Sequence, residues 1–273
     1  MIDQSKLNGA TIRSFSPWVD RYLLSKFVRR QVQARYQGTV LGIFWSLLSP
    51  LLMLAVYSVV FRVIFKMRWG SGEENNLDFA LQLFAGLVVF NFFAETVLRA
   101  PNLLLEQPKL VKKVRFPLEI LAWINVGSSL MFMLPGLTLL LCCVAYSIGI
   151  FWSWCALPII WLPLVIWLLG LSWFLSAIGI FVRDIGQMLG LAVSVLQFLS
   201  PIFYPISALP SWLQNWVALN PLSEVVEQTR AALFLGVWPS FMPWLMEMGA
   251  SLVMASAGIW VFTRLRSGFA DVL

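Results

Sequence analysis

Long runs of apolar residues alternate along the chain with short stretches rich in Arg, Lys, Gly and Pro. A helix crosses the hydrocarbon core of a bilayer with about 20 mostly apolar residues. Six stretches meet this requirement and are predicted to be transmembrane helices: residues 40–65, 77–98, 118–147, 154–181, 185–205 and 243–262. The pattern therefore predicts an all-α polytopic membrane protein. Its single transmembrane domain, residues 40–263, lies between an N-terminal segment, residues 1–39, and a short tail, residues 264–273.

The basic residues indicate how these helices are oriented. Segments with an excess of Lys and Arg stay on the cytoplasmic side of a membrane. With the N-terminus inside, 15 of the 19 basic residues fall on cytoplasmic segments, and only Arg62, Lys66, Arg68 and Arg230 fall outside. Both termini are therefore predicted to be cytoplasmic.

An amphipathic helix is predicted before the first span. Ser16 is a suitable N-cap, and Pro17 fits the first turn of a helix that continues to Tyr36. One side of this helix is apolar, although Arg30 interrupts it: Val19, Leu23, Leu24, Phe27, Val28 and Ala34. The other side is polar: Ser25, Lys26, Arg29 and Gln33. Such a helix lies in the cytoplasmic membrane interface, where anionic headgroups attract its basic residues.

Residues 206–242 are predicted to be neither a span nor a simple loop. The segment is too long and apolar for a turn, and its three prolines prevent it from crossing as one helix. Asn220 and Pro221 predict the N-cap and first turn of a helix that reaches about Phe234. The favoured interpretation is a re-entrant segment, two short helices that enter the outer leaflet and return. The alternative is a pair of helices lying flat on the outer surface.

Composition narrows the function. Hydrophobic residues make up 60% of the chain and charged residues 12%, and the mean hydropathy is +0.82. Because soluble domains carry about 25% charged residues, a soluble enzyme, a disordered regulator and a secreted disulfide scaffold are excluded. The absence of His excludes His-ligated zinc and a His general base. The three Cys lack metal-ligand spacing, so no metal site is predicted.

Catalytic motifs are missing as well. The chain contains neither G-x-x-x-x-G-K-[ST] nor G-x-G-x-x-G, so no phosphate-binding loop for ATP is predicted. An enzyme working within this chain is disfavoured. Glu224 and Glu227, beside Arg230, are the only plausible carboxylate pair for one.

Two local contacts are predicted from spacing. Glu95 and Arg99 are four residues apart in the second span, in the favourable order for a helical ion pair. Gly186 and Gly190 match a motif for the close approach of two helices, which is a weak indication of a helix contact in the fifth span.

Four motifs, in order along nearly the whole chain, are typical of one family. They are RYxxTVLGxxWSxxxP at residues 35–50, LVKKVRFP at 110–117, FVRDI at 181–185, and SPIFY at 200–204 followed by Leu209-Pro210 and Asn220-Pro221. Together they resemble ABC-2-type permeases that export polysaccharides, in the branch that carries O-antigen and teichoic acid. The resemblance implies a type V exporter fold, with six spans, an N-terminal interface helix and a broken outer segment.

The resemblance also implies partners. It implies a homodimer of permeases in the bacterial inner membrane, each docked on a separate ATPase subunit that binds ATP and Mg²⁺, with no cofactor on this chain. A coupling helix between spans two and three, and the turn after span four, are expected to contact that subunit. The expected docking residues are Pro101, Lys109, Lys112, Lys113, Arg115, Phe116, Arg183 and Asp184. Topology alone is the other explanation for the charge of this loop.

The implied cargo is a glycan carried on a polyprenyl pyrophosphate lipid. The basic residues at the cytoplasmic mouth suit a pyrophosphate, because guanidinium groups offer paired, permanently charged donors. The expected gate comprises Arg29, Arg30, Arg35, Tyr36, Leu41 and Gly42. Bulk anionic lipid is an equally good ligand for these arginines. Aromatic rings that could stack on sugars in a channel are Tyr57, Phe61, Phe198, Phe203 and Tyr204.

The predicted function is therefore the permease subunit of an ATP-driven exporter of a lipid-linked polysaccharide, O-antigen in particular. One alternative is an ABC-2 exporter of a drug or small lipid. A membrane-embedded glycan-processing enzyme is the other.

Overall fold

The computed structural model describes residues 21–37, 44–60, 76–108, 116–206, 209–218 and 220–272. All regular secondary structure in these ranges is helical, as the apolar pattern predicts. The α-helices are α1 (Arg21–Tyr36), α2 (Trp45–Ser58), α3 (Asn76–Arg99), α4 (Ile120–Ser147), α5 (Leu157–Gly179), α6 (Ile185–Leu199), α7 (Ser211–Ala218), α8 (Pro221–Arg230), α9 (Phe241–Leu265) and α10 (Phe269–Val272).

Four described helical segments are long and apolar enough to cross a membrane. They are Phe79–Asn102, Ile120–Ser147, Trp152–Gly179 and Phe241–Gly268, and they match the predicted second, third, fourth and sixth spans. The chain is therefore a multi-pass membrane protein. The first predicted span lies partly outside the described residues, and α2 is its described part.

The fifth predicted span is shorter than the apolar run that encodes it. The prediction was a helix over residues 185–205, but α6 ends at Leu199. Ser200 is extended, with φ −83° and ψ 148°, because the residue before a proline avoids the helical conformation and Pro201 follows it. At about 1.5 Å per residue, 15 residues rise about 22 Å, less than the thickness of the hydrocarbon core.

Helix α3 lies at the centre of the fold. It packs against α2, α4, α5, α6 and α8. Most of its apolar residues are buried, among them Phe79, Leu83, Phe84 and Phe93, although Leu98 near its end is exposed. Lipid also accepts apolar side chains, so the burial of α3 comes from the five helices packed around it.

Helices α5 and α9 approach each other closely through glycine. A Cβ placed on Gly170 would lie 2.5 Å from the Met254 carbonyl oxygen, and a Cβ on Gly258 would collide with the Gly170 carbonyl oxygen. Small residues let membrane helices pack backbone against backbone. The spacing-based expectation for Gly186 and Gly190 is not met within the described chain, where no atom lies within 4 Å of either ideal Cβ.

The N-terminal helix α1 packs on α4. Leu23, Leu24, Phe27 and Val28 are half-buried against the core, while Lys26 and its polar neighbours are exposed. The predicted apolar side is confirmed at Leu23, Leu24, Phe27 and Val28, whereas Ala34, predicted on the same side, is exposed. Arg30 is exposed as well, so it does not interrupt the buried part of this side.

The broken segment after α6 contains two short helices, α7 and α8, as predicted. The Asn220 side chain accepts a hydrogen bond from the Leu222 amide at 3.1 Å, and Pro221 occupies the first helical position. Helix α8 continues as a π-helical turn, Ala231–Leu235, which ends at Gly236 in a left-handed conformation with φ 69°. The predicted N-cap and the end of this helix near Phe234 are confirmed.

We expect Gly258→Ala to destabilise the protein, because the added methyl group meets the rigid backbone of α5. Overpacking of this kind costs about 1–3 kcal/mol. Thermal unfolding of the purified protein in detergent measures the effect. Gly249→Ala in the same helix is the matched control, since its Cβ meets no described atom within 4 Å and Ala is the better helix former. Equal melting temperatures for the two variants would contradict the close contact.

Candidate functional site

A salt bridge joins the end of α1 to α3 on the side that the charge pattern assigns to the cytoplasm. Arg35 Nη1 lies 2.6 Å from Glu95 Oε1. The helical ion pair predicted between Glu95 and Arg99 is not formed. Although i,i+4 spacing permits it, Arg35 approaches Glu95 from a different helix and takes its place.

The Arg35 guanidinium also lies over an aromatic ring of α4. Its Cζ is 4.2 Å from the centroid of Phe132. A cation over a ring face is stabilised by the ring quadrupole. The group is thus positioned by a carboxylate and a ring, while nearly half of its surface stays accessible.

Two cavities lie on either side of this salt bridge. The first, of about 390 Å³, lies between α2, α3 and α4, with Trp45, Pro50, Met53 and Met133 in its wall. The second, of about 540 Å³, lies beneath α1 and includes the polar residues Gln31, Arg99 and Glu106. Arg35, Glu95, Leu98 and Phe132 line both cavities, so the salt bridge lies where the two cavities meet. The first cavity has a mixed wall, since Ser49, Asn91 and Ser129 also line it, whereas the second, the polar cavity, adds the charged Arg99 and Glu106.

A second cation faces the polar cavity. With the Gln31 amide oriented so that its oxygen faces α3, that oxygen accepts hydrogen bonds from both amino groups of Arg99. The Gln31 nitrogen then donates to Ser128 Oγ at 2.8 Å. Arg99 is therefore positioned beside the cavity by a neutral amide.

The other predicted gate residues divide into exposed and undescribed ones. Arg29 and Arg30 are exposed on α1, and Arg30 lines a third cavity of about 250 Å³ with Phe27 and Leu103. Arg35 is the gate arginine that the structure brings into contact with the spans. Leu41, Gly42 and the Tyr36 side chain lie outside the described residues.

The predicted docking residues that the structure describes lie after α3, before α4 and after α5. Arg183 and Asp184 are exposed in the turn before α6. Phe116 is half-buried, with its ring 6.0 Å from that of Phe27. Pro101 is buried, and its carbonyl oxygen would lie 2.5 Å from a Cβ on Gly179. Lys109, Lys112, Lys113 and Arg115 lie outside the described residues.

Sequence reasoning missed a junction beside this docking region. Glu119 is fully buried at the start of α4 and pairs with Arg266 after α9. Its backbone carbonyl accepts a hydrogen bond from Trp173 Nε1 of α5 at 3.0 Å. One residue therefore links α4 to α5 and to the end of α9. The sequence offers no local signal for it, since 147 positions separate the paired residues.

The predicted channel aromatics fall into different environments. Phe198 is 65% exposed on α6, whereas Phe203 is 2% exposed and lies in the core, with the two ring centroids 5.6 Å apart. The Tyr204 hydroxyl donates to the Phe198 carbonyl at 2.8 Å, which pairs a backbone group near the end of α6. Phe61 and the side chain of Tyr57 lie outside the described residues.

A buried arginine fastens the broken segment to the spans. Arg230 is 4% exposed and donates to three backbone carbonyls: Gln82 at 3.0 Å, Pro201 at 2.6 Å and Ile202 at 2.8 Å. Gly86 leaves room for it, since a Cβ there would lie 2.8 Å from Arg230 Nη2.

The acids near Arg230 have structural partners. Glu227 lies 3.1 Å from Arg230 Nη1, and Glu224 accepts a hydrogen bond from Gln228 at 2.7 Å. These contacts stabilise α8, so the carboxylate pair considered for an enzyme is engaged in holding the helix and its anchor.

Known proteins match this chain along most of its length. The ABC-2 type transporter family matches residues 22–234, so the chain belongs to that family. It is 28% identical to the O-antigen export system permease protein RfbA of Myxococcus xanthus, over 92% of this chain and 95% of that protein. It is 24% identical to an RfbA of Klebsiella pneumoniae over the same shares. It is 21% identical to the polysialic acid transport protein KpsM of Escherichia coli, over 80% of this chain and 83% of KpsM.

Family membership defines the class of protein. The chain is a membrane permease subunit, a transport protein without a catalytic domain, as the sequence analysis predicted. Permeases of this family pair with ATP-binding subunits. The predicted resemblance to the O-antigen export branch is confirmed by the similarity to the RfbA permeases.

We expect Arg230→Ala to destabilise the fold strongly, because the buried carbonyls of Pro201 and Ile202 lose their donor. The Gln82 carbonyl keeps its partner within α3. Each unsatisfied buried group costs about 1–3 kcal/mol, so a loss of at least about 2 kcal/mol is expected. The yield of monodisperse protein and its melting temperature in detergent measure this loss.

Glu227→Gln is the control for Arg230, since it removes the ion pair and keeps the carbonyl contacts. Glu227 is partly exposed, and such pairs are worth at most about 1 kcal/mol. Comparable losses in the two variants would show that the ion pair, and not the set of carbonyls, anchors the segment.

Proposed function

We propose that this chain is the permease subunit of an ATP-driven exporter that moves a polyprenyl-pyrophosphate-linked polysaccharide, of the O-antigen type, from the cytoplasm across the inner membrane. The observation that carries the proposal is the groove at Arg35. It places a permanent cation between a cavity with Pro50 and Met53 in its wall and a cavity that adds Arg99 and Glu106, in a chain similar along 92% of its length to O-antigen export permeases. A polyprenyl pyrophosphate has an apolar chain, which suits Pro50 and Met53, and a doubly phosphorylated head, which suits Arg35 and Arg99.

The architecture proposed for the working transporter is that of a type V exporter. Six spans place both termini in the cytoplasm, α1 lies in the membrane interface, and α7 and α8 form the re-entrant segment. Two copies of the chain form the pore between them, and each copy binds one ATPase subunit, on which ATP and Mg²⁺ are bound. This chain contributes no nucleotide site, in agreement with its lack of a phosphate-binding loop.

Energy enters through the cytoplasmic loops. Closure of the ATPase dimer on ATP displaces the basic coupling segment, residues 99–116, and the exposed turn at Arg183 and Asp184. The rigid contacts at Glu119 carry that displacement to the ends of α4, α5 and α9. The spans around the groove then part, and the sugar chain enters the pore while its lipid anchor follows in the membrane.

Recognition of the cargo is assigned to two groups of residues. Arg29, Arg30 and Arg35 bind the pyrophosphate at the cytoplasmic mouth, together with Tyr36 and the bend at Leu41 and Gly42. Farther along, aromatic rings on the first and fifth spans stack on sugars. Phe198 is the best placed described ring, because it is exposed on α6, whereas the core position of Phe203 does not suit this role.

Deletion of the gene tests the function. We expect its loss to abolish surface polysaccharide and to leave lipid-linked glycan inside the cell, and expression of the intact chain to restore export. Immunoblotting of surface polysaccharide and analysis of the extracted glycolipid measure the two effects. Unchanged polysaccharide with impaired efflux of a drug or small lipid would instead support the alternative ABC-2 exporter.

The docking assignment has its own test. We expect Lys112→Glu with Lys113→Glu to abolish co-purification of the ATPase subunit, because the substitutions reverse the charge of the coupling segment. The control is Lys112→Arg with Lys113→Arg, which keeps the charge and should keep the complex. A normal gel-filtration profile of the reversed permease shows that it folds. Intact co-purification of the reversed variant would exclude these two lysines as the contact.

A further inference from the structure

We propose that Glu95 competes internally for Arg35, so that the phosphate head of a lipid must displace the Glu95 carboxylate in order to bind. The inference rests on the proposed function, since it concerns how the lipid carrier enters the groove. It assigns to Glu95 the role of a latch that closes the site when no lipid is present.

The position of the salt bridge is the first reason. Arg35 and Glu95 line both the first cavity of about 390 Å³, which has Pro50 and Met53 in its wall, and the polar cavity of about 540 Å³. While they are paired, they separate the two spaces. An amphiphile that places its apolar part along Pro50 and Met53 and its charged head beside Arg99 must pass through this boundary.

The chemistry of Arg35 is the second reason. A guanidinium binds carboxylate and phosphate through the same paired N–H donors, so the two anions exclude each other. A pyrophosphate carries more charge and more acceptor oxygens than one carboxylate. The Phe132 ring, 4.2 Å from the guanidinium carbon, stays in place under the cation and keeps it in position through the exchange.

The released carboxylate has a second partner on its own helix. Arg99 follows Glu95 by four residues, in the order that favours a helical ion pair. Its present partner in the groove is the neutral Gln31 amide, which an anion can replace. The Glu95 carboxylate can therefore leave Arg35 and pair with Arg99, so that it keeps a cationic partner.

The strength of the latch is the third reason. The Arg35 side chain is 45% exposed and that of Glu95 is 30% exposed, whereas the Glu119 carboxylate that pairs with Arg266 is fully buried. Ion pairs that are open to solvent are weak, and an equilibrium constant changes by no more than about fivefold when one is removed. A latch of this strength holds the empty site closed and still yields to a dianionic head.

Binding of farnesyl pyrophosphate to the permease–ATPase complex in phosphatidylcholine nanodiscs tests the proposal. We expect Glu95→Gln to lower the Kd by about fivefold, because Arg35 no longer has a competing anion. Glu106→Gln is the matched control, since Glu106 lines the polar cavity and makes no ion pair within the described residues. It should change the Kd less than twofold.

The double variant of Glu95 and Arg35 tests whether the effect of Glu95 on the Kd acts through Arg35. Arg35→Gln should weaken binding, and Glu95→Gln should add nothing in that background. Equal gains from the Glu95 and Glu106 variants, or a Glu95 gain that persists without Arg35, would show general electrostatics and overturn the latch. No change in Kd for Glu95→Gln would overturn it as well. Glutamine has the size of glutamate, and the melting temperature of each variant checks that it folds.

Two further ligands identify the source of the phosphate. Inorganic pyrophosphate should bind more weakly than farnesyl pyrophosphate, because it has no apolar chain to contact Pro50 and Met53 in the first cavity. When phosphatidylglycerol is added to the nanodisc, the difference in Kd between Glu95→Gln and wild type should remain. If phosphatidylglycerol abolishes this difference, the site binds bulk lipid and the proposal is overturned. The amount of surface polysaccharide in the cell tests the export function separately. The proposed function and the role of Glu95 can therefore be refuted independently.

Discussion

Polar groups inside this bundle have to be paired within the protein, because lipid offers no hydrogen bonds. Arg230 is the most demanding case. Its guanidinium donates to the Pro201 and Ile202 carbonyls in the break after α6, which would otherwise be buried without partners, and also to the Gln82 carbonyl of α3. The broken segment therefore has a fixed position against the second and fifth spans. A similar constraint acts at Asn125 of α4, whose amide donates to the Thr96 carbonyl of α3 and to the Ser172 hydroxyl of α5.

The arginines of this chain differ in what surrounds them, and their roles follow from that. Arg230 is locked, since its donors are taken up by backbone groups that cannot move away. Arg35 meets a side-chain carboxylate at a half-exposed position, and an anion from outside can exchange with it. Arg266 pairs with the buried Glu119, and this contact links the end of α9 to the start of α4. Burial thus separates anchoring contacts from exchangeable ones.

Much of the helical framework could be predicted because its signals are local. Apolar runs of about 20 residues predicted the spans, and the Asn220-Pro221 pair predicted a capped helix that the structure confirms. The end of α6 was misplaced, since the apolar run continues through Ser200 although the following proline breaks the helix. The predicted ion-pair partner of Glu95 was also wrong. Spacing favoured Arg99 on the same helix, whereas Arg35, 60 positions away, occupies the carboxylate.

The sequence by itself determined that the chain is a multi-pass membrane protein, that its basic residues cluster in a few segments, and that it lacks a motif for binding nucleotide. These properties depend on composition and on neighbours within a few residues, so they can be predicted without knowing how the helices pack. The tertiary structure alone decided which arginine meets Glu95, which carbonyls surround Arg230, and that Phe203 is buried while Phe198 is exposed. Each of these depends on which helix faces which, and that is set by contacts between residues far apart in the chain.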